Sequence, residues 1–346
     1  MGAIVLSGRD VVGYLTDLIG FKLGLAITED ELTEAASGHG LSDVWPDTMD
    51  ATYRYRSEVM EELCQVMLAA FGDADATHAL SFPAVMPQLM REFPDLMDDP
   101  GALDYTLKRL PELSPASGTN VIDPRPLFRE VEERWGSRGI LIAGRLMQII
   151  NRNLMASPWS RVRRQDFSSL LELRDLFDSE KLPVPLGLFF DQRFIDFLEA
   201  NSASLDRMHW RQFEGLVAER LRRKGLRVEI GPGRGDEGID VRAWEADSDE
   251  TAPAVMLVQC KRTRDKVDRV VVKALAADVM FEGARSGMVA TTSSWSPGAR
   301  KTVEARGYPV EETNRDTLVT WLTEMRTPGC GAWLAGSGLK QENGSS

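Results

Sequence analysis

The chain has 346 residues, 43% apolar and 27% charged, with a formal net charge of −12. That length exceeds one ordinary hydrophobic core and predicts two or three domains of a soluble globular protein. No apolar run of about twenty residues is present, which excludes a membrane-spanning helix, and three scattered cysteines (Cys64, Cys260, Cys330) and three histidines (His39, His78, His209) exclude a zinc cluster or a disulfide framework. The start MGAIVLSGRDVVGYLTDLIG has neither the basic flank nor the cleavage signature of a secretory signal, so a reducing cytoplasm is the expected setting.

Taken in order, segments 8–24, 29–37, 50–72, 83–93, 103–111, 126–135, 138–155, 166–178 and 189–200 carry helical spacing of apolar residues, interrupted by Pro and Gly. The first half is therefore expected to be α-helical, with ELSPASGTNVIDPRP (112–126) as its clearest linker. Residues 1–120 hold 7 Lys+Arg against 20 Asp+Glu, a net of −13, whereas 205–326 hold 21 against 20. A phosphate polyanion would be repelled by the first segment, which suits it to protein contacts or simply to a solvated surface. Residues 139–167 join an apolar stripe to Arg145, Arg152, Arg161, Arg163 and Arg164 near Trp159. Such a stretch is either a DNA-contacting surface or a core helix with a solvated basic end. The expected division is an acidic helical domain (1–120), a helical region with a basic stretch (121–204), an α/β domain (205–327) and a Gly/Ser-rich tail (328–346) in which Trp333 packs back on the core.

From 208 the pattern changes. Residues 208–224 give an amphipathic helix built on Phe213, Leu216, Val217 and Leu221 and stopped at Gly225, followed by a strand, LRVEI (226–230). VRAW (241–244) and VMLVQCKR (255–262) read as neighbouring strands joined by an acidic turn. A helix over 267–284, a strand SGMVATTS (286–293), a helix opened by Ser296 as N-cap with Pro297 first, a strand YPVEE (308–312) and a helix over 315–326 complete the series. Strands alternating with helices predict a mixed central sheet flanked by helices.

Side chains two apart on a strand share a face, so Gln259 and Lys261 point one way while Met256, Val258 and Cys260 point to the apolar side. Asp240, just past Gly235 and Gly238, can meet Gln259 and Lys261 at one edge of the sheet. A carboxylate and an amide oxygen are hard ligands suited to Mg²⁺ or Mn²⁺ completed by water and substrate phosphate, and a neighbouring Lys can orient water or steady charge on phosphoryl oxygens. Asp236 either assists such a site or solvates the loop, whereas Glu237 reads as a loop residue, and the TTSS run (291–294) offers hydroxyls either to phosphate or to a strand-end turn.

The segment from about 208 to 326 resembles the Mrr-like restriction endonuclease family, a branch of the PD-(D/E)xK nuclease superfamily. The residues that carry the resemblance are FEGLVAERLRRKGLRVE (213–229), GDEGIDVRAW (235–244), VQCKR (258–262) and GMVATTSSWSPGA (287–299). It covers roughly a third of the chain. The resemblance implies a restriction-endonuclease-like fold and a divalent-metal-dependent DNA endonuclease acting against foreign or modified DNA. It implies Asp240, Gln259 and Lys261 as the catalytic set, with Glu214 as a helix carboxylate and with Asp240, Gln259 and Glu214 toward metal. Gln259 replaces the superfamily's acidic residue and Ile239 its Pro, both usual in this branch.

Two other readings stand beside the nuclease: a DNA-binding protein on a nuclease fold that does not cut, and an effector switched on by a protein docked to the acidic first domain. A homodimer would suit cutting of both strands. Recognition sequence and methylation dependence are not encoded in the motif spacing.

Overall fold

The computed structural model describes residues 3–113, 123–182, 186–233, 238–249 and 251–327. The expectations for Asp236 and Glu237, for most of the 112–126 linker and for the tail with Cys330 and Trp333 lie outside these residues.

The first half begins with β1 (Ala3–Ser7), whose last residue caps α1 (Gly8–Leu23): the Ser7 side chain accepts the Asp10 N–H and the Asp10 carboxylate accepts from Ser7. The helix ends at Gly24, which has a left-handed φ of 75°. After β2 (Leu25–Ala26), Thr28 and Glu31 form a second capping box for α2 (Glu29–Gly38). Then come β3 (Thr52–Arg56), α3 (Ser57–Ala70), α4 (Phe82–Glu92), α5 (Gly101–Glu112) and α6 (Arg125–Ala156). Gly136 (φ 60°, ψ −149°) kinks α6, dividing it where the sequence pattern does.

Two expected helices begin later than their spacing suggests. Residues 52–56 form a strand because Tyr53 and Tyr55 alternate with Arg54 and Arg56, and they pair antiparallel with β1. Within 166–178, Leu171–Glu172 form β4, parallel to β2, and only Asp175–Asp178 are helical (α7).

After α8 (Gln192–Ala200) and a 3₁₀ turn (Ser202–Asp206), the last third forms α9 (Trp210–Arg223), β5 (Leu226–Ile230), β6 (Val241–Glu245), β7 (Met256–Lys261), α10 (Arg269–Glu282), β8 (Ser286–Thr291), α11 (Pro297–Arg306), β9 (Val310–Thr313) and α12 (Arg315–Met325). The strands make one sheet in the order β5-β6-β7-β8-β9; β6 is antiparallel to both neighbours, and β7, β8 and β9 run parallel. This is the mixed, helix-flanked sheet expected of the segment, and Ser296 caps α11 as anticipated, accepting the Ala299 N–H.

Each face of the sheet has its own core. Leu257 and Val289 pack with Val272, Leu275 and Val279 of α10. On the other face Val241, Val258, Met288 and Ala290 pack with Phe213 and Val217 of α9. That second core is continuous with Leu15, Leu63 and Met67 of the first half and with Phe194 of α8. The basic stretch around α6 turns inward. Arg145 grips Glu92 through two hydrogen bonds of 2.6 and 2.7 Å, Arg164 pairs with the buried Asp73 at 2.5 Å, and Arg161 and Arg163 lie over the Phe21 ring. Arg145 and Arg164 thus neutralise acidic residues of the first half, a pairing that neither the DNA-contacting surface nor the solvated basic end anticipated.

Candidate active site

Three connections meet at the carboxyl end of β7 and β8: the turn leading into β6, the loop after β7 and the segment after β8. Extending the β6–β7 register by one position sets Asp240 opposite Gln259. The Asp240 N–H donates to the Val258 carbonyl at 2.9 Å, and the Asp240 Oδ2 accepts the Cys260 N–H at 2.6 Å. The carboxylate is thus fixed by the backbone of the strand that carries Gln259 and Lys261.

Alternation on β7 places Gln259 and Lys261 on the Leu257 side and Cys260 on the α9 side. Gln259 is 9% exposed, and its Oε1 is buried with no hydrogen-bond partner among the described residues. A buried acceptor left unsatisfied costs about 1–3 kcal/mol, so this oxygen is available to a ligand. The amide is held from behind by Gly238: at its φ of 89°, a Cβ would lie 2.8 Å from the Gln259 Nε2. A side chain at that φ is strained, and its Cβ would press the carboxamide aside. Lys261 is half-buried one pleat further on, at the mouth of the site.

Glu214 reaches the same end of the sheet from the α9 layer, across the sheet from Gln259. Its Oε2 accepts from Arg211 Nη1 at 2.7 Å, and the same nitrogen donates to the Gly231 carbonyl at 2.8 Å. The Gly231 N–H in turn donates to the Asp240 carbonyl at 2.8 Å. Burial pushes the Cys260 thiol well above its ordinary range, and the Asp240 and Glu214 charges push it further while Lys261 opposes them. Arg211 was not picked out by the sequence; its place three residues before Glu214 on one helix was the available signal.

The TTSS hydroxyls of 291–294 serve the fold. The Thr291 Oγ1 donates to the Lys261 carbonyl at 2.8 Å, and the Thr292 Oγ1 donates to the Thr263 carbonyl and accepts the Thr263 N–H, each at 3.0 Å. Both threonines are buried, so the strand-end alternative holds for them.

Among the described residues no group of three or more His, Cys, Asp or Glu side chains is placed to hold a metal ion. The donor set offered is one carboxylate and one amide oxygen, Asp240 and Gln259. The orphaned Gln259 Oε1 and its glycine cradle fit a hard divalent cation that keeps water and takes further oxygens from a phosphate.

A helix-flanked mixed sheet whose polar residues gather at the carboxyl end of its parallel strands is an α/β domain of the restriction-endonuclease kind. Residues 205–322, about a third of the chain, match the Mrr_cat family model, described as a restriction endonuclease. A solved structure described as the MspJI restriction endonuclease in complex with a 27-mer oligonucleotide is 19% identical, covers 57% of this chain and 40% of its own, and gives a TM-score of 0.29. The chain thus spans less than half of that protein's length. No curated protein matches. No helix among the described residues is long and apolar enough to cross a membrane.

Proposed function

We propose that the chain is a divalent-metal-dependent DNA endonuclease that hydrolyses phosphodiester bonds, with Mg²⁺ or Mn²⁺ as its cofactor. One observation carries the reading: within the segment that matches a restriction endonuclease model, a buried amide oxygen on Gln259, without a partner among the described residues, lies across the strand pair from Asp240 and one pleat from Lys261. Asp240 and Gln259 would hold the ion, which supplies Lewis acidity for the attacking water and the phosphate. The Cys260 N–H keeps the Asp240 carboxylate aimed along the strand end. Lys261 places its ammonium beside the phosphoryl oxygens and steadies their charge as it grows. Glu214 acts as an auxiliary carboxylate, positioned by Arg211.

Defence against foreign or modified DNA, action as a homodimer on the two strands and a partner docked on the acidic first half belong to the same proposal. The free thiols of Cys64 and Cys260 suit a reducing cytoplasm. A non-cutting DNA binder is the second reading, favoured by the amide that stands where a carboxylate would bind metal more strongly.

The test is incubation of the protein, beside Lys261→Ala, with unmodified and methylated plasmid in Mg²⁺, Mn²⁺ or EDTA. Metal-dependent cleavage that disappears in the variant supports the proposal. Retention of DNA without cleavage of either plasmid, in any metal, selects the second reading.

A further inference from the structure

Beside the candidate active site, a polar cleft separates the nuclease sheet from the segments that precede it. One wall is the loop after β7, Arg262 to Arg264; the other carries Arg207 and Phe177. We propose that this cleft is a phosphate-backbone subsite, gripping the DNA strand a few nucleotides from the bond to be cut; the inference rests on the nuclease reading above.

Charge supports it. Asp206 also lines the cleft, but its carboxylate is engaged by Arg315 and its carbonyl accepts from Arg262 Nη1 at 3.1 Å. Three guanidiniums thus face the opening against the carboxylate of Asp178. Arg207, Arg262 and Arg264 are all exposed, and this local surplus belongs to a chain whose overall charge is −12.

Rigidity supports it too. Beyond the Thr263–Thr292 exchange described above, the Arg264 carbonyl accepts from the Ser293 Oγ at 3.2 Å, so the loop is stitched to the end of β8. Arg207 is steadied from below by the Phe177 ring, 5.4 Å from its guanidinium carbon. Cations held in place lose less freedom on gripping a phosphate than cations on a free loop.

Reach fits as well. Three residues separate Arg264 from Lys261, at most roughly 10 Å of extended chain. A DNA strand rises about 3.4 Å per phosphate, so Arg264 lies within about three phosphates of the one beside Lys261. Guanidinium is the side chain best matched to phosphate oxygens, and such contacts position a duplex without reading its sequence.

The experiment is anisotropy of a labelled duplex with the full chain, Ca²⁺ replacing Mg²⁺, over a range of salt. The double variant Arg207→Ala/Arg264→Ala is compared with wild type and with Lys301→Ala, an exposed lysine on α11 outside the cleft. Each phosphate contact contributes about 0.9 to the slope of log affinity against log salt, so the double variant should give a slope shallower by about 1.8 and weaker binding to every sequence, with Lys301→Ala unchanged. Arg207→Gln/Arg264→Gln, which keeps polarity and bulk, should behave like the alanine pair if the charge is what matters. An unchanged slope in both pairs, with wild type binding DNA, overturns this subsite alone. A wild-type chain that binds no duplex overturns the nuclease reading and the subsite together.

Discussion

Gly238→Ala probes the packing that holds the Gln259 amide. The new Cβ would stand 2.8 Å from Nε2 and 3.9 Å from the carboxamide carbon. The φ of 89° costs an L side chain about 1–2 kcal/mol, and pushing the buried amide off its rotamer adds about 1 kcal/mol. The reduced freedom of the unfolded chain returns about 0.5 kcal/mol, leaving a net loss near 2 kcal/mol. The two costs separate in a double-mutant cycle. In a Gln259→Ala background the collision vanishes while the backbone strain stays, so the glycine substitution should cost about 1 kcal/mol less there. Urea denaturation in EDTA measures all four proteins without interference from metal. Additivity within about 0.3 kcal/mol would refute the claim that Gly238 cradles the amide.

Asp240→Asn should melt close to wild type, because its side-chain oxygen can still accept the Cys260 N–H, while plasmid cleavage is lost; Asp240→Ala should lose cleavage and also about 1–3 kcal/mol of stability, as the donor is orphaned. Mg²⁺ should raise the melting temperature of wild type and not of Gln259→Ala; an equal rise in both would remove the amide from the ligand set. Burial alone would raise the Glu219 carboxyl, but hydrogen bonds from Arg222, Arg223 and the N–H groups of Phe189 and Leu188 hold it at about 2. Its folded value is below its ordinary 4.5, so its contribution is present above about 4.5 and drains away as pH falls toward 2, amounting to about 3 kcal/mol. Stability measured across that window should fall in wild type and flatten in Glu219→Gln.

What the sequence discloses and what it hides divide along physical lines. The strands from 226 to 291 declare themselves because apolar residues occupy one or both faces in a period of two, and the Gln259–Lys261 pair follows from that period. Asp240 is placed by two glycines and a strand start. Strand β3 was concealed because a strong helical pattern begins at Ser57, directly after it, and absorbed Tyr53 and Tyr55. Glu219 is invisible as a hub, since two of its partners are backbone N–H groups some thirty residues earlier. The arginines of 145–164 show no sign in their own segment that Glu92 and Asp73 will meet them. Hydroxyls after β8 look like ligand contacts until their carbonyl partners on the neighbouring loop are known.

The core shared by the first half and α9 has a consequence for how the protein comes apart. A restriction endonuclease domain is easily imagined as a cassette, cut out at its sequence boundary and joined elsewhere. Here removal of the preceding helices would take away part of the buried cluster that Phe213 and Val217 of α9 share with Leu63, Met67 and Phe194, and large exposed patches of that kind drive aggregation. Losing either half removes part of the other's interior, so heat or denaturant should melt the two together in one transition. What looks like an appended helical region is, in thermodynamic terms, the second wall of the α/β domain.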